Sequence, residues 1–162
     1  NLVYRCSRAG FHQHYGKENR IENNILAFNG EQQLQRTRTE EHISFWFERN
    51  IVYWDNDSPL QGSNWRDDNF RMDHNLYFSA GQKPVTFFGG LTLEQWQQKR
   101  GQDKHSLVAD PGFVDPKKDD FRQKPDSPAL KLGFQPFDAS KAGRQTPAVL
   151  TKDLPPVPAA FE

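Results

Sequence analysis

A short phrase built on asparagine recurs along the first half of the chain. Asn1-Leu2-Val3-Tyr4, Asn24-Ile25-Leu26-Ala27-Phe28, Asn50-Ile51-Val52-Tyr53-Trp54 and Asn75-Leu76-Tyr77-Phe78 open on asparagines spaced by 23, 26 and 25 residues. The agreement reaches upstream, where Ile21, Phe47 and Met72 share one column and Glu22, Glu48 and Asp73 the next. None of these segments has the three-and-four apolar spacing of a helix; each is a β-branched or aromatic run bounded by Asn, Asp or Gly. Three short strands with three turns fill roughly 25 residues, which is one coil of a parallel β-helix. Asparagine suits the turn because it tolerates the left-handed backbone, and stacked amides on successive coils can hydrogen-bond into a ladder. On this reading the columns Ile25/Ile51/Leu76 and Ile21/Phe47/Met72 stack inward, coil upon coil.

Composition agrees with such a coil. Only 35% of the 162 residues are apolar and the mean hydropathy is −0.91, yet 13% are aromatic, including 13 Phe. Disordered chains are poor in aromatics, so the chain folds around a narrow, aromatic-rich stack and shows polar groups elsewhere. The 21 basic residues balance the 21 acidic ones, which removes the general electrostatic case for nucleic acid or an anionic membrane as partner. No apolar run is long enough to span a bilayer, and a single cysteine, Cys6, excludes an intrachain disulfide framework. The sequence starts at Asn1 without a charged and apolar leader, so it carries no legible localisation signal.

From Pro84 the regularity lapses. Pro84 to Phe88 reads as a strand ending at Gly89-Gly90, and Thr92 with Gln95 forms a capping-box pattern. That pattern predicts a short helix from Thr92 to about Lys99 with Leu93 and Trp96 inward, while Trp54 also reads as core. Ser106 to Ala109 returns to strand. The division expected is 1–135, coils and closing segment, followed by 136–162, a Pro-rich extended tail or strap.

The repeats resemble those of right-handed parallel β-helix proteins of the pectin-lyase-like superfamily. The stretches Ala109-Asp110-Pro111-Gly112-Phe113-Val114-Asp115-Pro116 and Asp120-Phe121-Arg122-Gln123-Lys124-Pro125-Asp126-Ser127-Pro128-Ala129-Leu130 are similar to the segment that often closes such helices in bacterial secreted carbohydrate-active proteins. The resemblance covers roughly residues 1–135. It implies an all-β solenoid with one short helix insertion, forming the C-terminal coils of a longer β-helix. It also implies a secreted, periplasmic or cell-surface location, and it is nearly silent on substrate.

No phosphate loop, nucleophile elbow, paired-cysteine zinc pattern or His-Glu-x-x-His helix is present. Polar residues gather instead in Phe11–Tyr15, Gln35–His42 and Ser63–Asp68. Counting back from each ladder asparagine aligns His12 with Arg38 and Ser63, His14 with Glu40 and Trp65, and Gly16 with His42 and Asp67. With coils about 4.8 Å apart, these clusters would merge into one patch. Local alternation agrees: an extended Arg36–Trp46 would turn Arg36, Arg38, Glu40, His42, Ser44 and Trp46 outward, against Ile43, Phe45 and Phe47 inward.

Such a face suits a polysaccharide or oligosaccharide. A glycoside hydrolase needs two carboxyl groups across the scissile bond, about 5–5.5 Å apart for retention or 6.5–9.5 Å for inversion. Glu40 or Glu41 with Asp67 or Asp68, one coil apart, meet that need, one of them kept protonated as the acid. His42 belongs with them; His12, His14, Tyr15, Arg36, Arg38 and Arg66 would orient the sugar, and Trp65 would stack on it. The plainer reading is a surface ion-pair network with hydrogen-bonded histidines. His12 and His14 lack a third ligand of known position, so no metal site is read. A polysaccharide lyase is the first rival: it needs a base and a cation beside a uronate carboxylate, for which Arg38 or His42 with Tyr15 would serve. Calcium enters only with the lyase reading; otherwise no cofactor is expected. A non-catalytic glycan-binding or structural β-helix is the second rival, and a monomer is expected throughout.

Overall fold

A computed structural model describes residues 1–140 and Ala142; most of the Pro-rich tail expected from 136 onward therefore lies outside the described residues. The first coil carries β1 (Leu2–Tyr4), β2 (Phe11–Gln13) and β3 (Asn19–Glu22). The second carries β4 (Ile25–Ala27), β5 (Leu34–Arg36) and β6 (Phe45–Glu48). The third carries β7 (Ile51–Trp54), β8 (Gln61–Ser63) and β9 (Arg71–Asp73), and β10 (Leu76–Ser79) begins a fourth. Helix α1 (Leu93–Arg100) and β11 (Leu107–Val108) follow. The strands pair in parallel as β1-β4-β7-β10-β11, β2-β5-β8 and β3-β6-β9, a right-handed parallel β-helix of about three turns.

The register confirms the columns read from the repeat. Ile25, Ile51 and Leu76 are paired neighbours, as are Ile21, Phe47 and Met72, and Glu22, Glu48 and Asp73. The amide ladder is present: Asn1 Nδ2 donates to Asn24 Oδ1 at 2.8 Å, Asn24 to Asn50 at 2.8 Å and Asn50 to Asn75 at 3.3 Å. Its last rung is Asp103, whose Oδ1 accepts from Asn75 Nδ2 at 3.1 Å. The left-handed backbone falls one residue before the ladder asparagine, at Asn23, Arg49 and His74, with φ of 57°, 54° and 56°. The ladder asparagines are thus selected for their amides and not for a left-handed backbone.

One column faces the other way from expectation. Leu26, Val52 and Tyr77 fill the interior of the solenoid, whereas Ile25, Ile51 and Leu76 point out of it. They are buried because the closing segment covers that sheet: β12 (Phe113–Asp115) and β13 (Asp120–Gln123) form an antiparallel hairpin, and α2 (Pro128–Lys131) follows. Phe113, Phe121, Ala129, Leu132 and Phe134 pack on Ile25, Ala27, Ile51, Tyr53 and Leu76. A parallel strand covered on both faces is apolar along its whole length, which is how Ile51-Val52-Tyr53-Trp54 reads. Asn23 clamps the cover, donating to the Gln135 carbonyl at 2.8 Å and accepting from its N–H at 2.6 Å.

Inside, rings stack along the solenoid axis. Phe45 lies on Phe70 at 5.7 Å and Phe70 on Trp96 at 6.3 Å, nearly parallel at 11° and 10°. Trp96 is delivered by α1, which starts at Thr92 with the predicted capping box and ends at Gly101 in the left-handed conformation. Trp54 is core as expected. The strand expected at Pro84–Phe88 does not form; Phe87 makes an isolated bridge to Leu91 across a Gly89-Gly90 turn and packs on Trp96 at 5.4 Å.

Candidate functional site

Two loops of adjacent coils, residues 37–44 leading into β6 and 64–70 leading into β9, enclose an open cleft of about 720 Å³. Glu40, Glu41, His42, Arg66 and Asp67 line it, with Thr39 and Asn69. The loops are tied to each other and to the first coil. Asn69 Nδ2 donates to the Glu40 carbonyl at 2.5 Å, and the His42 ring reaches the Gly16 carbonyl at 3.1 Å. A carbonyl only accepts, so the His42 ring donates to it through Nε2–H. Glu40 is half-buried and Glu41 exposed, and neither carboxylate has an ion-pair or hydrogen-bond partner among the described residues.

Asp67 is held differently. Its Oδ2 accepts from Arg36 Nη1 at 3.0 Å, and its Oδ1 caps the loop through the Asn69 N–H at 2.9 Å. Burial alone would raise its pKa; the Arg36 guanidinium and the backbone N–H groups outweigh that and hold it below the usual carboxylate value. Asp67 is therefore held as a carboxylate, which excludes it as the protonated acid. A carboxyl lowered by folding adds stability above its unfolded pKa of about 3.9, and that stability is lost as pH falls through the folded value. Asp67→Asn is thus expected to destabilise the protein at neutral pH and to have little effect near pH ~2, as measured by urea unfolding at both pH values.

Three expected site residues lie elsewhere. Arg36 is fully buried, its guanidinium over the Phe70 ring at 5.2 Å and donating to the Asn64 carbonyl at 3.0 Å, so it positions Asp67 and does not meet a ligand. Trp65 is also fully buried, packed on Phe70 at 5.1 Å with its indole N–H donating to the Gly62 carbonyl at 2.8 Å. It is a core residue and offers no sugar platform. Asp68 turns from the cleft to Arg100 of α1, at 2.8 Å. The inward turn of Arg36 has a local cause. Residues 37–44 are not extended, so Arg36 and Ser44, expected outside, both turn in.

The counted register is corrected too. His12 pairs with Gln35, which pairs in turn with Gly62, and Gln13 with Arg36, which pairs with Ser63, so Arg38 lies beyond the strand. His12, His14, Tyr15 and Arg38 nevertheless gather. Thr37 Oγ1 bonds His12 Nε2 at 3.0 Å and His14 Nδ1 at 2.8 Å, His14 packs edge-on to Tyr15 at 4.6 Å, and Arg38 lies over the Tyr15 ring at 4.5 Å. Tyr15 is the most exposed large aromatic described, at 62%. The ring that this face offers is therefore Tyr15, on the first coil.

Sequence reasoning missed Asn69 and Thr37, which brace these groups from within polar runs where nothing marks one residue over another. It also missed a cluster of Asp73, His74 and His105. His74 and His105 immediately precede Asn75 and Ser106, and Ser106 Oγ takes the ladder position by accepting from the Asn75 N–H at 2.8 Å. Aligning Ser106 with the asparagines would have exposed the pair. Comparison with protein-family profiles, with curated proteins and with solved structures finds no match.

Proposed function

We propose that the cleft binds a polysaccharide or oligosaccharide and hydrolyses a glycosidic bond. The reading rests on one observation: an ionised carboxylate, Asp67, faces a cleft shared with two carboxyl groups that have no partner among the described residues, Glu40 and Glu41, on the neighbouring coil. Asp67, kept charged by Arg36, takes the proton of the attacking water and supports the positive charge that develops at the anomeric carbon. Glu40 or Glu41 donates a proton to the leaving oxygen, and the bond between that oxygen and the anomeric carbon breaks as the water oxygen bonds to the same carbon. Arg66 and His42 bind hydroxyl or acidic substituents, and Tyr15 with Arg38 extends the binding face along the coils. The proposal includes the pectin-lyase-like affinity of the repeats, a monomer, and an extracellular, periplasmic or cell-surface location where polymeric glycans are met.

One observation favours a lyase as the second reading. Tyr15, His14 and Arg38 are packed together, a phenol and an imidazole beside a guanidinium. Arg38 would neutralise a uronate carboxylate while Tyr15 or His14 removes the proton on the adjacent carbon, and the glycosidic bond leaves by elimination. Incubation with plant and algal polysaccharides separates the readings. Hydrolysis yields new reducing ends without ultraviolet absorbance, elimination yields both, and unchanged polymer with measurable binding would replace either with a non-catalytic glycan-binding face.

A further inference from the structure

The far end of the β3-β6-β9 sheet carries a cluster unconnected with the cleft. The cleft loops precede β6 and β9, whereas Asp73 closes β9 and His74 follows it. The ligand-capable atoms of Asp73, His74 and His105 all lie within 4.8 Å of one another. His105 Nδ1 is 2.8 Å from Asp73 Oδ2, and His74 Nδ1 is 3.5 Å from the same oxygen. The two rings are stacked at 4.7 Å and 22°, as expected for side chains one coil apart. We propose that Asp73 Oδ2 and the two Nδ1 atoms bind a divalent transition-metal ion, zinc in the first instance, with water completing the shell.

Four features of the cluster support this. Two imidazoles and one carboxylate form a donor set that suits zinc, copper or nickel rather than calcium or magnesium. Tetrahedral zinc with bonds of about 2.1 Å needs donors about 3.4 Å apart, and the two observed oxygen–nitrogen distances bracket that value. The carboxylate is already aimed: its Oδ1 accepts from the His74 N–H at 2.9 Å and the His105 N–H at 2.7 Å, while Oδ2 faces the rings and accepts from His105 Nδ1 at 2.8 Å, a proton that the ion would replace. Backbone bonds of this kind are the outer-shell contacts that orient a ligating carboxylate. Finally, no lysine or arginine pairs with Asp73 among the described residues. The nearby Arg49 pairs with Glu22 and Glu48 instead, and both histidine side chains are open to solvent, at 42% and 65%. The ion would join the third coil to β11.

The test is calorimetric titration of zinc chloride into the full chain, with His74→Asn and His105→Ala as variants. Asn is chosen at 74 because the backbone there is left-handed, and Asn23 holds the equivalent position in the first coil. One-to-one binding in the micromolar range is expected, weakened tenfold or more by either substitution. Zinc should also raise the Tm of the parent protein, by mass action on the folded state, and leave that of the double variant unchanged. Absence of binding up to about 1 mM zinc, or binding that the double variant retains in full, would overturn the proposal.

Discussion

Replacing Asp103 with alanine is expected to destabilise the protein by about 3–5 kcal/mol, the range seen when one partner of a buried charged network is removed. Asp103 is fully buried and accepts four side-chain hydrogen bonds. Asn75 Nδ2 at 3.1 Å, the Tyr77 hydroxyl at 2.9 Å and the Ser106 hydroxyl at 2.6 Å meet Oδ1, and Trp96 Nε1 meets Oδ2 at 3.0 Å. These donors come from β10, from α1 and from the turn before β11, so one carboxylate joins the asparagine ladder to the cap of the solenoid. Burial pushes its pKa up, and the four donors pull against that. Alanine leaves the Tyr77, Ser106 and Trp96 donors unpaired in a site closed to water, and leaves the Asn75 amide only its bond to the Phe47 carbonyl. Asparagine is no remedy, because Asn75 and Trp96 donate to different oxygens and its amide N–H₂ would face one of them. Asp103→Asn is therefore also expected to lose stability, though less than Asp103→Ala, as read by urea unfolding with tryptophan fluorescence as one probe.

The second large effect is catalytic. The double substitution Glu40→Gln and Glu41→Gln is expected to lower kcat by about 10²–10⁴-fold, the usual contribution of a positioned general acid, with KM little changed. Glutamine keeps size and most hydrogen bonding but cannot supply the proton. Because the two carboxylates lack partners among the described residues, the fold should be unaffected. Surface substitutions of this kind usually change stability by less than about 0.5 kcal/mol. Loss of activity with an unchanged Tm therefore separates this pair from Asp67, whose replacement also disturbs buried Arg36. The single variants tell which glutamate is the acid.

How far the molecule was legible follows from where its physics is periodic. The coil repeat, the asparagine ladder and the apolar columns could be read because stacking forces the same residue type into the same place on every turn. The facing of Ile25, Ile51 and Leu76 was misread, although the unbroken apolar run of β7 already required a cover on both sides. The site was harder because the loops absorb irregularity that the ladder hides. Phe11 to Leu34 is 23 residues and Leu34 to Gln61 is 27, while the ladder spacings over the same coils stay at 26 and 25. A count from the asparagines therefore brought the right loops together, with Glu40, Glu41, His42, Arg66 and Asp67 in one cleft, but gave wrong partners within them. Trp65 misled for a related reason. Its neighbours in sequence are polar because they turn outward or toward Arg36 and Arg100, and the ring between them turns in. Asp103 was invisible because the insertion carrying α1 breaks the repeat before the ladder ends.

The cleft as a glycosidic-bond-cleaving site is tested most directly by product analysis of plant and algal polysaccharides incubated with the parent protein and with the Glu40→Gln/Glu41→Gln variant. Shorter oligosaccharides with new reducing ends and no ultraviolet absorbance, formed by the parent and lost in the variant, are the expected result. Equal product from both proteins, or polymer left unchanged by the parent, would contradict it.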